Sequence, residues 1–266
     1  MRRTVSAVAV LCVAVPVLAA CGSSSTPAAS TSAGATTSAS PAITGTINVF
    51  AASSLQEAFT TLGQQFEAAH PGVKVVFNFA ASSELATQIT QGAPADVFAS
   101  ASAKNMTQVT AAGYAGAPTM FAKNVMEIAI PPANPGKVSA LADLGKAGVK
   151  LAVCQSQVPC GSTAATVFKN AGLTVKPVTL EPDVKSVLGK VELGEVDAGV
   201  VYVTDVRAAG SKVTGIMIPA AVNASTSYPI AALTKSGNAA TAQAFVGYVL
   251  SAAGSTVLTA DGFAKP

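Results

Sequence analysis

Aromatic and charged side chains are scarce in this chain of 266 residues. Tryptophan is absent, aromatic residues make up 5% and charged residues 11%, whereas hydrophobic residues make up 50%. The core must therefore be built mainly from aliphatic side chains. The formal net charge is +3 with no basic stripe, which argues against nucleic acid as a partner. The single histidine, His70 in a His-Pro-Gly turn, argues against Ser-His-Asp or Cys-His catalysis.

Motifs of common catalytic sites are also missing. The chain has no G-x-S-x-G elbow, no H-E-x-x-H pair and no Walker loop. Any two of the 13 acidic residues could still meet in space, so a hydrolase that uses two carboxylates stays open as an alternative. We expect no cofactor.

Two cysteines, Cys154 and Cys160, lie in the part of the chain that should fold. In an exported protein a disulfide between them is the default expectation. Free thiols or a metal site are the alternatives, although a metal would need further ligands nearby.

The N-terminus has the features of an export signal. Met1-Arg2-Arg3 is basic, and the apolar run over 5–18 is shorter than the ~20 residues of a membrane span. Leu18-Ala19-Ala20-Cys21 follows and resembles a bacterial lipobox, which predicts a signal peptide over 1–20 and a lipid anchor on Cys21. An ordinary secretory signal cleaved near an alanine is the alternative.

The segment after the signal, over 21–43, is almost entirely Ser, Thr, Ala, Gly and Pro, which predicts a flexible linker. The remaining residues suffice for one large domain or two lobes. Loss of the signal lowers the formal charge from +3 to +1, because Arg2 and Arg3 leave with it. We expect a monomer that works just outside a membrane.

Short apolar runs alternate with helical stretches in the folded part. Strands are predicted at 46–51, 73–79, 96–100, 125–130, 150–154, 175–180, 198–203, 213–218 and 228–233. Helices are predicted at 54–69, 83–91, 102–112, 161–171, 183–193 and 238–250. This alternation predicts an α/β fold with mostly parallel sheets, in which ligands bind beyond the carboxyl ends of the strands.

Serines follow the first two predicted strands, with Ser54 after the first and Ser82 after the second. The free N–H groups and the dipole of a helix N-terminus favour an anion. Several such ends around one cleft would bind an oxyanion without arginine or lysine. The alternative is simple helix capping, for which Ser54-Leu55-Gln56-Glu57 has the capping-box spacing. Asp205 is interpreted as a cap or hinge contact rather than a ligand.

A series of motifs occurs in a characteristic order along the chain. They are Val49-Phe50-Ala51-Ala52-Ser53-Ser54-Leu55, Gly92-Ala93-Pro94-Ala95-Asp96-Val97-Phe98-Ala99-Ser100-Ala101, Val158-Pro159-Cys160-Gly161, Glu181-Pro182-Asp183-Val184, Gly199-Val200-Val201-Tyr202 and Tyr228-Pro229-Ile230. Together they resemble the molybdate-binding proteins of bacterial ABC uptake systems, over about residues 46 to 264. Each motif is weak alone, and their shared order and spacing make the resemblance specific.

The resemblance implies the type II periplasmic binding protein fold. Two α/β lobes, each a mostly parallel sheet flanked by helices, would be joined by two crossover strands. One lobe would comprise 44–123 and 232–266, and the other 124–231.

The resemblance also implies a ligand set. By position, the family's oxyanion ligands fall on Ser54 and Ser82 in the first lobe and on Cys160, Val184 and Tyr202 in the second. The serines would offer hydroxyl and backbone N–H, Cys160 and Val184 backbone N–H alone, and Tyr202 its phenol. The ion would be held through its oxygens with no direct metal ligand. Family members often carry alanine where Cys160 stands, a change that keeps the backbone donor.

The function implied is that of an extracytoplasmic, lipid-anchored solute-binding protein, not an enzyme. It would capture molybdate or tungstate and deliver the ion to an ABC permease in the membrane. A receptor for sulfate or another small anion is the alternative among binding proteins, and an extracytoplasmic hydrolase is the alternative from another class.

Overall fold

A computed structural model describes residues 43–266. The predicted signal peptide over 1–20, the predicted lipid anchor on Cys21 and all but the last residue of the predicted linker over 21–43 lie outside the described residues.

The described residues form nine strands, one for each strand that the sequence predicts. The strands are β1 (Gly45–Ala52), β2 (Val73–Ala80), β3 (Val97–Ala99), β4 (Thr119–Ile130), β5 (Leu151–Cys154), β6 (Thr179–Glu181), β7 (Ala198–Tyr202), β8 (Thr214–Met217) and β9 (Ser225–Ala232). The helices are α1 (Gln56–Ala69), α2 (Ser82–Thr90), α3 (Ala103–Ala111), α4 (Pro159–Asn170), α5 (Val184–Glu192), α6 (Val203–Ala209), α7 (Ala239–Leu250) and α8 (Ala252–Ala260). A short 3-10 helix, Ser53–Leu55, leads into α1. The sequence did not predict α6 or α8.

The strands are hydrogen-bonded in the order β2-β1-β3-β9-β4-β7-β5-β6, with β8 paired to β4. Strand β1 pairs in parallel with β2 and β3, and β5 pairs in parallel with β6 and β7. Strands β4 and β9 lie between these two parallel sets and pair with each other in antiparallel fashion. The predicted fold, two α/β lobes joined by two crossover strands, is confirmed.

We call β1–β3 with α1–α3, α7 and α8 the first lobe, and β5–β8 with α4–α6 the second lobe. Each lobe has its own core. In the first, the rings of Phe59 and Phe66 pack edge-on against Phe245 with centroid distances of 6.2 and 5.3 Å. The core of the second is largely aliphatic, and among residues 43–266 Ala81 is its only buried member from outside 126–218. The residue boundaries predicted for the lobes, 44–123 with 232–266 and 124–231, stay a prediction.

Within residues 43–266, no single helix has both the length and the apolar character needed to cross a membrane. Helices α7 and α8 meet those criteria only when taken together, and the pair is bent by 59°.

Candidate functional site

Five helical segments begin where parallel strands end, and their N-termini meet between the lobes. In the first lobe β1 leads into the 3-10 turn of α1, and β2 leads into α2. In the second lobe β5, β6 and β7 precede α4, α5 and α6. The first N–H groups of a helix have no acceptor within it. The fold therefore gathers free backbone donors at one place.

All five residues that the sequence predicts as ligands line a single cavity there. Its space amounts to about 210 Å³, with open solvent at the mouth included. The lining residues are Ala52, Ser53, Ser54, Ala80, Ala81, Ser82, Ala101, Pro159, Cys160, Asp183, Val184 and Tyr202. A larger cavity lies at the opposite end of β1, lined by Thr46, Asn48 and Asp96 among others, and contains none of the predicted ligands.

The hydroxyls of Ser54 and Ser82 do not cap their helices. Neither α1 nor α2 has a side-chain cap hydrogen bond, so the capping box predicted from Ser54 is wrong. The physical reason is a competing partner in each case. Ser54 Oγ lies 2.9 Å from Tyr228 Oη, and Ser82 Oγ accepts a hydrogen bond of 2.9 Å from the N–H of Ala101.

Cys160 is the second residue of α4, and Pro159 is the first. Proline suits that position because it has no N–H to leave unpaired. The structure joins Cys160 to Cys154, the last residue of β5, by a disulfide, as the sequence predicts. This covalent link ties the start of α4 to the end of its neighbouring strand. The backbone N–H of Cys160 is thereby held at the edge of the cavity.

Val184 is the first residue of α5, and Asp183 is its N-cap. The Asp183 carboxylate accepts hydrogen bonds from the N–H groups of Lys185 (2.8 Å) and Ser186 (3.1 Å). The carboxylate of Asp183 is therefore hydrogen-bonded to the first turn of its own helix. The N–H of Val184 has no partner within α5, while its side chain is buried in the core of the second lobe.

Tyr202 ends β7 and is 1% exposed. Its hydroxyl has no hydrogen-bond partner among the described residues. The neighbouring hydroxyl of Thr163 donates its hydrogen to the carbonyl of Pro159 at 2.8 Å. Burial raises the pKa of Tyr202 well above its ordinary value, so the phenol keeps its proton. A buried hydroxyl without a partner is costly, and here it lies beside a cavity.

The buried carboxylate of Asp205 holds the backbone of Tyr202. Its Oδ2 accepts a hydrogen bond of 3.0 Å from the backbone N–H of Tyr202, which confirms its role as a helix cap. Its Oδ1 lies 3.2 Å from Lys185 Nζ. Burial raises the pKa of Asp205 to about 6, and Lys185 opposes that rise.

Cationic side chains are absent from the cavity lining among the described residues. Arg207 lines a neighbouring cavity beyond Ser54 instead. No group of three or more His, Cys, Asp or Glu side chains within 43–266 could hold a metal ion. The cavity therefore offers an anion hydroxyl and amide hydrogens rather than formal positive charge or a metal.

Sequence reasoning missed the residues that support this cavity. Tyr228 and Asn124 lie on the crossover strands, and Lys185 lies one residue beyond a predicted ligand. In the sequence, Tyr228-Pro229-Ile230 is only one motif of the ordered series. Its spacing gave no sign of a contact with Ser54, 174 positions away in the sequence.

Comparisons with known proteins identify the family of this chain. The family model described as bacterial extracellular solute-binding protein matches residues 47–264. The molybdate-binding protein ModA of Mycobacterium tuberculosis (strain ATCC 25618 / H37Rv) is 48% identical over 250 residues, which cover 94% of this chain and 93% of that protein. The protein of the same name from Escherichia coli (strain K12) is 34% identical over 233 residues, 82% of this chain and 89% of that protein.

A solved structure shows the same fold at lower identity. The periplasmic molybdate-binding protein of Azotobacter vinelandii matches with a TM-score of 0.74 and 22% identity, over 83% of this chain and 99% of that chain. With a family match that spans nearly all of the described residues, and with relatives similar along most of their length, the chain belongs to the bacterial extracellular solute-binding proteins.

Proposed function

We propose that this protein captures molybdate or tungstate between its two lobes and delivers the ion to an ABC permease. The observation that carries the proposal is the convergence of hydroxyl and amide donors from both lobes on one cavity without lysine or arginine in its lining. The relatives named molybdate-binding protein support the same ligand. In this role the protein needs neither catalysis nor a cofactor.

The donor set suits a tetrahedral oxyanion with two charges and no proton. Ser54, Ser82 and Tyr202 supply O–H groups, and Cys160 and Val184 supply backbone N–H groups. Hydrogen bonds to a charged group contribute about 1.5–3 kcal/mol each. After desolvation and ordering costs, a net of about 8–12 kcal/mol would give micromolar to nanomolar affinity.

Location follows from the N-terminal sequence. Removal of residues 1–20 and lipidation of Cys21 would anchor the protein outside the membrane, on the linker over 21–43. A monomer on such a linker could reach a permease in the same membrane. Because the ligands come from both lobes, binding favours a closed state, and the closed shape is what the permease would recognise.

A thermal-shift panel tests the ligand class. At a concentration 100 times Kd, a ligand adds about 2.7 kcal/mol of stability, which corresponds to a rise in Tm of roughly 5–10 °C for a domain of this size. Molybdate and tungstate should each produce this rise, and sulfate, phosphate and chromate should not. A rise in Tm with sulfate alone would identify the protein as a sulfate receptor instead. No rise in Tm with any of these oxyanions would overturn the proposal.

Small-angle scattering tests closure. We expect a decrease in the radius of gyration when saturating molybdate is added. An unchanged radius together with tight binding would contradict the closure step and leave the ligand assignment in place.

A further inference from the structure

A chain of buried hydrogen bonds runs from the cavity to the second lobe. Ser54 Oγ contacts Tyr228 Oη at 2.9 Å, Asn124 Nδ2 lies 3.5 Å from the same phenol oxygen, and Asn124 Nδ2 donates to Thr204 Oγ1 at 2.8 Å. All four side chains are nearly inaccessible to solvent. Tyr228 and Asn124 lie on the two crossover strands, β9 and β4.

The direction of these hydrogen bonds follows from the chemistry of the groups. The Oδ1 atom of Asn124 accepts from the N–H of Val125 at 3.0 Å, so the amide nitrogen faces Tyr228. An amide nitrogen donates and cannot accept. The phenol hydrogen of Tyr228 therefore has one acceptor among the described residues, Ser54 Oγ. The opposite arrangement would leave a fully buried O–H donor without a partner, which is costly.

The consequence falls on the hydroxyl of Ser54. Because its oxygen accepts from Tyr228, its own hydrogen is free to point into the cavity that Ser54 lines together with Ser82. Ser82 is in an equivalent position, since the N–H of Ala101 donates to its oxygen. In both serines a donor occupies one lone pair of the oxygen from behind, so the hydroxyl hydrogen cannot turn to that side and is available to the ligand.

We propose that Tyr228 is a specificity-determining positioning residue, which makes Ser54 a hydrogen-bond donor to the bound ion and so excludes oxyanions that carry a proton. The inference rests on the proposed function. A protonated oxyanion such as hydrogen phosphate must place its O–H against an acceptor, and an arrangement that leaves only hydrogens facing the ion rejects it. Without the phenol, Ser54 can rotate and accept from that O–H.

The test compares molybdate with inorganic phosphate above neutral pH, where phosphate is a dianion with one proton. Calorimetric titration gives both dissociation constants for the unmodified protein and for Tyr228→Phe. We expect the preference for molybdate over phosphate to fall at least about tenfold in the variant, through weaker molybdate and stronger phosphate binding. The matched control is Tyr248→Phe, whose exposed hydroxyl contacts Gln65 at 3.0 Å; both of its constants should stay within about twofold.

A second variant, Asn124→Asp, tests the role of Tyr228 without a substitution of Tyr228 itself. In Asn124→Asp the new carboxylate offers the phenol an acceptor, so the hydrogen of Ser54 can turn to the phenol oxygen and its lone pairs can face the cavity. The added charge weakens both dianions alike, so the ratio of their affinities still reports the hydroxyl's direction. This variant also serves if Tyr228→Phe fails to fold.

The outcomes separate the two claims. An unchanged preference in every folded variant would overturn the role of Tyr228 and leave the proposed function intact. Absence of molybdate binding by the unmodified protein would overturn the proposed function and this inference with it. A loss of preference in Tyr248→Phe as well would show a general effect of phenol removal and contradict a role specific to Tyr228.

Discussion

Lys185 Nζ, on the second lobe, lies 2.8 Å from each carboxylate oxygen of Glu57 on the first. The same ammonium lies 3.2 Å from Asp205. Burial alone would lower the pKa of Lys185, yet Asp205 and Glu57 together raise it above its ordinary value. The ion pair therefore connects the lobes beside the cavity, one residue from Val184 and three from Ser54.

Glu57→Gln should weaken molybdate binding. The carboxylate of Glu57 is 45% exposed, so solvent screens the pair and a contribution of about 0.5–1 kcal/mol is expected. That corresponds to a roughly two- to fivefold rise in Kd, seen mainly as faster dissociation. Glu192→Gln is the control, because its partner Lys212 lies in the same lobe. Equal dissociation rates for Glu57→Gln and the unmodified protein at low ionic strength would refute the role of the pair.

Tyr202→Phe should separate binding from stability. The variant removes a buried hydroxyl that has no partner among the described residues, so the ligand-free protein should keep or gain stability. Molybdate binding should weaken by about 1.5–3 kcal/mol, or roughly 10- to 150-fold in Kd. Denaturant unfolding and calorimetry on one preparation measure both quantities. Unchanged affinity would remove Tyr202 from the ligand set, and a large loss of stability would show an unrecognised structural contact.

Gly161→Ala should disrupt the start of α4. A Cβ there would overlap the backbone carbonyl of Gln155 and lie 2.7 Å from the carbonyl of Cys154. Backbone atoms cannot move aside cheaply, so a loss of about 1–3 kcal/mol or more is expected, with weaker molybdate binding. Gly189→Ala in α5 is the matched control, since a Cβ there meets nothing within 4 Å and alanine favours helix by about 1 kcal/mol. Similar melting temperatures for the two variants would contradict this account.

Asp205 should make stability depend on pH. Its folded pKa of about 6 lies above the unfolded value of about 3.8, so the folded state binds more protons between these values. This group therefore contributes least above pH 6, and its contribution to stability grows as pH falls toward 4. Relative to Asp205→Asn, the unmodified protein should gain on the order of 2–3 kcal/mol between about pH 7 and pH 4. A difference between the two proteins that does not vary with pH would show that the carboxylate is not perturbed.

Much of the fold could be predicted because its signals are local. Short apolar runs predicted every strand among the described residues, although β4 begins at Thr119 rather than near 125. Helix α8 was missed because Ala252–Ala260 consists mainly of small residues without a clear helical period. Helix α6 was missed because it follows Tyr202 directly, with no glycine or proline to separate it from β7.

The ligand candidates could be predicted from family motifs, but the long-range contacts that position them could not. Ser54 and Tyr228 are 174 positions apart, and Glu57 and Lys185 are 128 apart. Such contacts depend on how the two lobes come together, which no local pattern encodes. The prediction of a capping box at Ser54 was wrong for the same reason. The Ser54 hydroxyl contacts the phenol of Tyr228, which is distant in the sequence, instead of capping the helix.

Cys160 and Val184 line the cavity at the starts of α4 and α5, where the backbone N–H of each has no acceptor within its own helix. Val184 is 2% exposed, and its side chain packs in the core of the second lobe. Another apolar residue that fits this core could therefore replace Val184 without altering the donor that an incoming solute encounters, whereas a change at Cys160 would also remove the disulfide to Cys154. A comparison that scored only side-chain identity would undervalue position 184, whereas Tyr202 would stand out.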